Sequence, residues 1–184
     1  MLRENKGFTL IEMIVVTSVI VVISTAGLAI FSEQRNRVDL VLSAQKVAND
    51  LRKARNLAMI SSKYDMGSGA EVPCGYGIHF GASDDNAYIL FAGNNSDTGN
   101  CGSTDKSYNP APALENDIEV ESINLPSNVI ISNSNDFDIF FEPPYSATTI
   151  TPDDPLVIIL RVKGRDCPDY CKNVIITSSG KIEY

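Results

Sequence analysis

From Phe8 the chain runs through apolar residues almost without interruption to Ser32, and its central stretch, Met13–Ser32, is about twenty residues without a charge. At about 1.5 Å per residue, a helix of that length reaches roughly 30 Å, the hydrocarbon thickness of a bilayer. The period then changes. Leu40, Ala44, Val47, Leu51, Ala54 and Ala58 recur at three- and four-residue spacing, as do Val41, Ala48 and Arg55. This spacing predicts an amphipathic helix. Its other face carries Arg35, Asp39, Lys46, Asn49, Asp50, Arg52 and Lys53. No Pro or Gly interrupts Leu28 to Met66, so one helix is expected from Phe8 to about Ser61, roughly 80 Å long. Gly67-Ser68-Gly69 supplies a stop signal. The stripe at 40–60 fits packing against the chain's own head. Residues 8–32 have only lipid or other subunits to pack against.

Beyond Gly69 the pattern turns to short apolar runs separated by turn residues. The expected strands are Tyr76–Phe80, Ala87–Ala92, Ile118–Leu125, Val129–Ser132, Phe137–Phe141, Leu156–Lys163, Asn173–Thr177 and a last one around Lys181–Tyr184. They are rich in Ile, Val, Phe and Tyr, as half-buried strands are. The nearly continuous run Leu156–Leu160 suits a central strand. Asp84-Asp85-Asn86 and Ser178-Ser179-Gly180 read as hairpin turns. Gly93 to Pro112 reads as a long loop. A long helix followed by an antiparallel sheet is an α+β arrangement. The expected organisation is a leader at 1–7, an apolar helix at 8–32, an amphipathic stem at 33–66 and a β-rich globular head at 67–184.

Charge sharpens this division. The chain has a formal net charge of −8. From Lys63 onward 7 Lys/Arg face 18 Asp/Glu, a net of −11, whereas Glu33 to Ser62 carries 6 against 3, a net of +3. An acidic head repels polyanions, which argues against nucleic acid as a partner. The basic stem suits acidic surfaces of sister subunits or lipid head groups. All four cysteines, Cys74, Cys101, Cys167 and Cys171, lie beyond the apolar run. With the N-terminus inside, they face an oxidising compartment where disulfides persist. Of three possible pairings, Cys74–Cys101 with Cys167–Cys171 closes two local loops. A zinc site is the rival reading, but there is no CxxC and His79 is the only histidine.

The apolar run holds one anomaly. Glu12 sits near its front, where an unpaired charge in hydrocarbon costs about 2.5–3.5 kcal/mol or more. A chain that keeps such a group has a partner for it. Elsewhere, chemistry is sparse. His79 has no Ser, Cys or Asp constellation that spacing can assign to it. Asp84-Asp85-Asn86 and Asp153-Asp154 could offer oxygens to calcium, but neither follows a defined ligand spacing. No phosphate loop, nucleophile motif or metalloprotease motif is present. The expectation is a non-enzymatic chain without metal or other cofactor.

Gly7-Phe8-Thr9-Leu10-Ile11-Glu12, after a short leader with Arg3 and Lys6, resembles the signal of type IV prepilins and type II secretion pseudopilins. The resemblance implies cleavage between Gly7 and Phe8 by a membrane prepilin peptidase and N-methylation of the new Phe8 amine. It implies that the Glu12 carboxylate pairs with an N-terminal amine in a filament and so sets subunit register. It places a single-pass chain in the inner membrane, leader cytoplasmic and head periplasmic or extracellular, before transfer into a pilus or pseudopilus. The implied partners are other pilin or pseudopilin subunits, the peptidase and an inner-membrane assembly platform. Leu51-Arg52-Lys53-Ala54-Arg55-Asn56-Leu57-Ala58, Phe140-Phe141-Glu142-Pro143-Pro144 and the closing segment Val174–Ile182 are similar to GspH/FimT-type minor pilins. The alternatives are a major pilin or a DNA-binding minor pilin for natural transformation. The DNA reading would rest on Arg161, Lys163, Arg165, Lys172 and Lys181.

Overall fold

The computed structural model describes residues 8–65, 70–82, 84–93, 101, 106–108, 117–143, 147–151 and 155–184. Side chains at 26–30, 32, 65, 70, 71 and 147 lie outside that description. The chain divides into two compact units, Met1–Val38 and Asp39–Tyr184, and one helix, α1 (Leu10–Met59), belongs to both.

In the first unit the helix turns its apolar residues outward. Phe8, Leu10, Ile11, Val16 and Ile23 are all 49–78% exposed. Three of its hydroxyls are satisfied internally. Thr17 Oγ1 donates to the carbonyls of Met13 and Ile14, Ser18 Oγ to Val15, and Thr25 Oγ1 to Val22, all within 2.7–3.0 Å. Such back-bonding lets a hydroxyl sit in apolar surroundings without an orphan donor. Among the described residues, no helix is long and apolar enough to cross a membrane. The expected span at 8–32 includes 26–30 and 32, whose side chains lie outside the described residues.

The second unit is built on the stripe that the helical period marks. Leu40, Ala44, Val47, Ala48, Leu51, Ala54 and Ala58 are at most 3% exposed. The strands that follow are β1 (Tyr64–Asp65), β2 (Ala70–Glu71), β3 (Gly75–Phe80), β4 (Ala87–Gly93), β5 (Ile118–Asn124), β6 (Val129–Ile131), β7 (Phe137–Glu142), β8 (Ala147–Thr151), β9 (Leu156–Val162), β10 (Cys171–Ile176) and β11 (Ile182–Glu183). All pair antiparallel. The fold is therefore α+β, with a long helix and antiparallel sheet, as in type IV pilins.

The single expected sheet is in fact two, of order β5-β4-β3-β7-β8 and β11-β10-β9-β6, beside a two-residue β1-β2 pair. Strand β9 lies inside its sheet, in keeping with its apolar run, and alternates buried and half-buried residues. Inward residues of both sheets, among them Tyr76, Ile78, Leu90, Ile139, Phe141, Ile158, Leu160 and Val174, form one core with the helix stripe.

The two sheets are stitched at the β3–β4 turn. The Asp84 amide donates to the Ile131 carbonyl (2.9 Å), and the Ile131 amide donates to the Asp85 carbonyl (2.8 Å). Arg161 Nη2 then grips Asp84 Oδ1 at 3.1 Å. Edge strand β5 is capped by side chains. Lys46 Nζ donates to the Asn124 carbonyl at 3.0 Å and Tyr64 to the Glu119 carbonyl at 3.4 Å. These occupy acceptors that an open edge would offer to another strand.

The helix closes before the Gly67-Ser68-Gly69 signal, which lies outside the described residues. Ser62 N–H donates to the Leu57 carbonyl and Ser61 N–H to the Ala58 carbonyl. Ser61 takes φ 48. This is the Schellman closure with serine in the left-handed position that glycine usually fills. Ser61→Gly is therefore expected to raise stability by about 1 kcal/mol, the strain of a left-handed L-residue, read as a shift in urea midpoint of the full chain in detergent micelles. In the same assay, Leu51→Ala is expected to cost about 2–5 kcal/mol, since Leu51 is fully buried between helix and sheets.

Candidate functional site

The start of α1 is built by a local rule. Thr9 precedes the first helical residue, Leu10, and Glu12 occupies the third helical position. The Glu12 amide donates to Thr9 Oγ1 at 3.4 Å, and the Met13 amide to the Thr9 carbonyl at 3.2 Å. Thr9 is thus the N-cap, and Thr-x-x-Glu is the spacing of a capping box. The carboxylate lies in the first turn, where the helix dipole favours negative charge. Glu12 therefore has local support as well as the expected role in register. The threonine went unread in the sequence, although its spacing to Glu12 was the available signal. Phe8 stands just ahead of this cap, exposed. Gly7, the other side of the expected cleavage bond, lies outside the described residues.

The cysteines are joined as Cys74–Cys101 and Cys167–Cys171, with 5.2 Å between Cα atoms in each pair. The first tethers the segment after β4 to the start of β3. The second closes the tip of the β9–β10 hairpin.

Sequence spacing assigns His79 no partner and leaves it a satisfied or exposed structural histidine; strand register supplies the partner. His79 on β3 lies opposite Asp138 on β7, with Nδ1 and Oδ1 2.8 Å apart. Tyr108 tilts over the imidazole with ring centroids 5.0 Å apart. Asp138 is buried and His79 half-buried, and the two read as a satisfied polar pair on the sheet. Asp84 and Asp85 serve the turn that stitches the sheets, and Asp85 Oδ1 accepts from the Asn86 amide at 2.7 Å. Asp153 and Asp154 lie outside the described residues. No cluster of three or more metal-ligating side chains occurs among the described residues.

Two segments far apart in sequence meet at the stem. Arg55 Nη1 donates to the Gly180 carbonyl at 3.2 Å, joining the helix to the closing hairpin. Gly180 has φ 76, a conformation that favours glycine. Beneath the sheet, Tyr88 donates to Asp50 Oδ2 at 2.6 Å. Burial first, and then that carboxylate, push the Tyr88 hydroxyl far above the ordinary phenol range, so it stays a donor. Among the tail cations, Arg161 is held by Asp84, Arg165 lies 5.0 Å over the Tyr170 ring, and Lys181 pairs with Glu183 at 2.6 Å. Lys163 and Lys172 are exposed.

No curated protein and no solved structure matches the chain. One family does: residues 2–28 match the prokaryotic N-terminal methylation motif. The matched stretch contains Gly7, Phe8, Thr9 and Glu12, the residues that form and flank the helix cap. The chain therefore carries a type IV prepilin-like leader.

Proposed function

We propose that this chain is a minor pilin or pseudopilin, a structural subunit that prepilin peptidase releases at Gly7–Phe8 and that assembles through its N-terminal helix. The observation that carries the reading is the coincidence of the methylation motif with a helix whose apolar residues face outward. An exposed apolar surface of this extent needs lipid or other subunits to cover it. The internally bonded hydroxyls of Thr17, Ser18 and Thr25 suit both surroundings. Between Lys6 and Glu33, Glu12 is the single charged residue. On this reading it pairs with a methylated Phe8 amine, and the helix spans the inner membrane with the head outside until an assembly platform extracts it. The function is assembly rather than catalysis.

Two measurements test the reading. Mass spectrometry of the chain from cells that hold a prepilin peptidase is expected to find a mature N-terminus at Phe8 bearing one methyl group. An intact Met1 in such cells contradicts the processing. Glu12→Ala is expected to leave membrane insertion and cleavage unchanged but to lower incorporation into filaments about tenfold or more, from losing one charge-assisted hydrogen bond of about 1.5–3 kcal/mol. Normal incorporation of that variant removes the register role.

A further inference from the structure

The second disulfide sits at the tip of the β9–β10 hairpin, where residues 155–184 are all described. Along β9, Leu156, Ile158, Leu160 and Val162 face the core, which leaves Arg161 on the outer face. Strand register sets Cys171 directly across from Arg161, so the two side chains share that face. Residues directly opposite hold their Cβ atoms about 4.5–5.5 Å apart. On its other flank Arg161 lies opposite Ile130 of β6, an apolar residue. Arg161 Nη2 donates to Asp84 Oδ1, but its Nε is buried and has no hydrogen-bond partner among the described residues. One donor of the guanidinium is thus left over beside the disulfide.

The crosslink is unequal in exposure: Cys167 is exposed and Cys171 half-buried. The other charges of the tip are engaged or wetted. Arg165 lies over the Tyr170 ring, while Lys163, Asp166, Asp169 and Lys172 are exposed to water, which screens them. A thiolate arriving from solvent therefore meets Cys167 first. The sulfur it displaces, Cys171, leaves beside a cation, which stabilises a thiolate and speeds exchange.

We propose that Cys167–Cys171 is a thiol–disulfide exchange site, reduced by an external dithiol, and that the Cys171 thiolate then draws the Arg161 guanidinium from Asp84 and loosens the seam between the two sheets. One thiolate of the dithiol attacks Cys167 Sγ. The S–S bond breaks, and Cys171 leaves as a thiolate paired with Arg161. The second thiol of the reductant then attacks the mixed disulfide and releases Cys167. The reductant is oxidised by two electrons to a disulfide. Of its two protons, one goes to Cys167 and one to solvent. The seam keeps the backbone bonds that join Asp84 and Asp85 to Ile131, but loses its side-chain grip. The exchange site stands independently of the filament reading.

The test uses the full chain in detergent micelles with both disulfides formed. Limited treatment with dithiothreitol, followed by alkylation and mass spectrometry, gives the reduction rate of Cys167–Cys171. Arg161→Gln is expected to slow it about tenfold, and Arg161→Lys to restore part of the loss, since a charge beside the leaving sulfur is removed and then returned. In the reduced parent, Cys171 alkylation should rise with pH at a midpoint about one unit or more below the ordinary thiol value of about 8.5, and Arg161→Gln should return it there. Amide exchange reads the seam. Reduction should speed it about fivefold or more at Asp84–Asn86 and leave Leu40–Ala58 unchanged. Cys167→Ser/Cys171→Ser, which offers no thiolate here but keeps the other crosslink, should show no such acceleration in the same dithiothreitol. Asp84→Asn should show it without reductant. Equal reduction rates in the parent and Arg161→Gln would overturn the proposal. So would an ordinary midpoint for Cys171, unchanged exchange at Asp84–Asn86 after reduction, or equal acceleration in the helix.

Discussion

Both sheets of the second unit depend on one narrow surface, the stripe of α1 from Leu40 to Ala58. Four of its seven buried apolar positions are alanine: Ala44, Ala48, Ala54 and Ala58. Small side chains there let the inward residues of two sheets reach the same helix, with Val47 and Leu51 filling the space between. The polar groups at its margin are then met from the strands. Tyr88 donates to Asp50, Tyr76 to the Ser62 carbonyl at 2.8 Å, and Arg55 to the Gly180 carbonyl. A buried phenol must find an acceptor, and each tyrosine finds it on the helix or just past its end.

Residues 10–25 of the helix follow another rule. There the helix holds its own polar atoms: hydroxyls return to carbonyls of the preceding turn, and Thr9 caps the first turn. What it leaves outward is almost wholly apolar. That division of labour fits a segment whose surroundings change from lipid to protein, since neither would have to supply hydrogen bonds. Glu12 is the exception. Its amide is capped and its carboxylate favoured by the helix dipole, but its charge still calls for a cation. The proposed Phe8 amine lies in the segment that the methylation motif covers.

Much of this was legible in the chain. The stripe was readable because it repeats strictly at helical spacing, and the apolar strands because β-branched and aromatic residues cluster between turn residues. Strand β8 was missed because Ala147–Thr151 follows Pro143-Pro144 and is mostly threonine, which reads as polar turn. It pairs with β7 as an edge, where fewer apolar residues suffice. The division into two sheets was not legible, since it rests on which strands pair, and the β3–β4 turn that stitches them was legible only as a turn. The His79–Asp138 contact escaped for the same reason, because cross-strand partners are set by register 59 residues apart in sequence. At the leader the sequence was more explicit. Thr9, Glu12 and the glycine-phenylalanine bond are local features, and local chemistry needs no tertiary register to be seen.

The charges of the head argue for the same division between assembly and packing. A phosphate backbone would need cations free to turn toward it. Arg161 holds the turn that joins the sheets, Arg165 stacks on Tyr170 beside the second disulfide, and Lys181 is paired within the last strand. Recruiting Arg161 to a polyanion would loosen the Asp84 stitch. The remaining exposed pair, Lys163 and Lys172, sits in a head whose sequence carries a net of −11. Positive charge in this part of the chain is thus largely spent on holding the fold. The surface that is left uncompensated in a single chain is the apolar face of the helix from Leu10 to Ile23, and that is the surface from which a filament would be made.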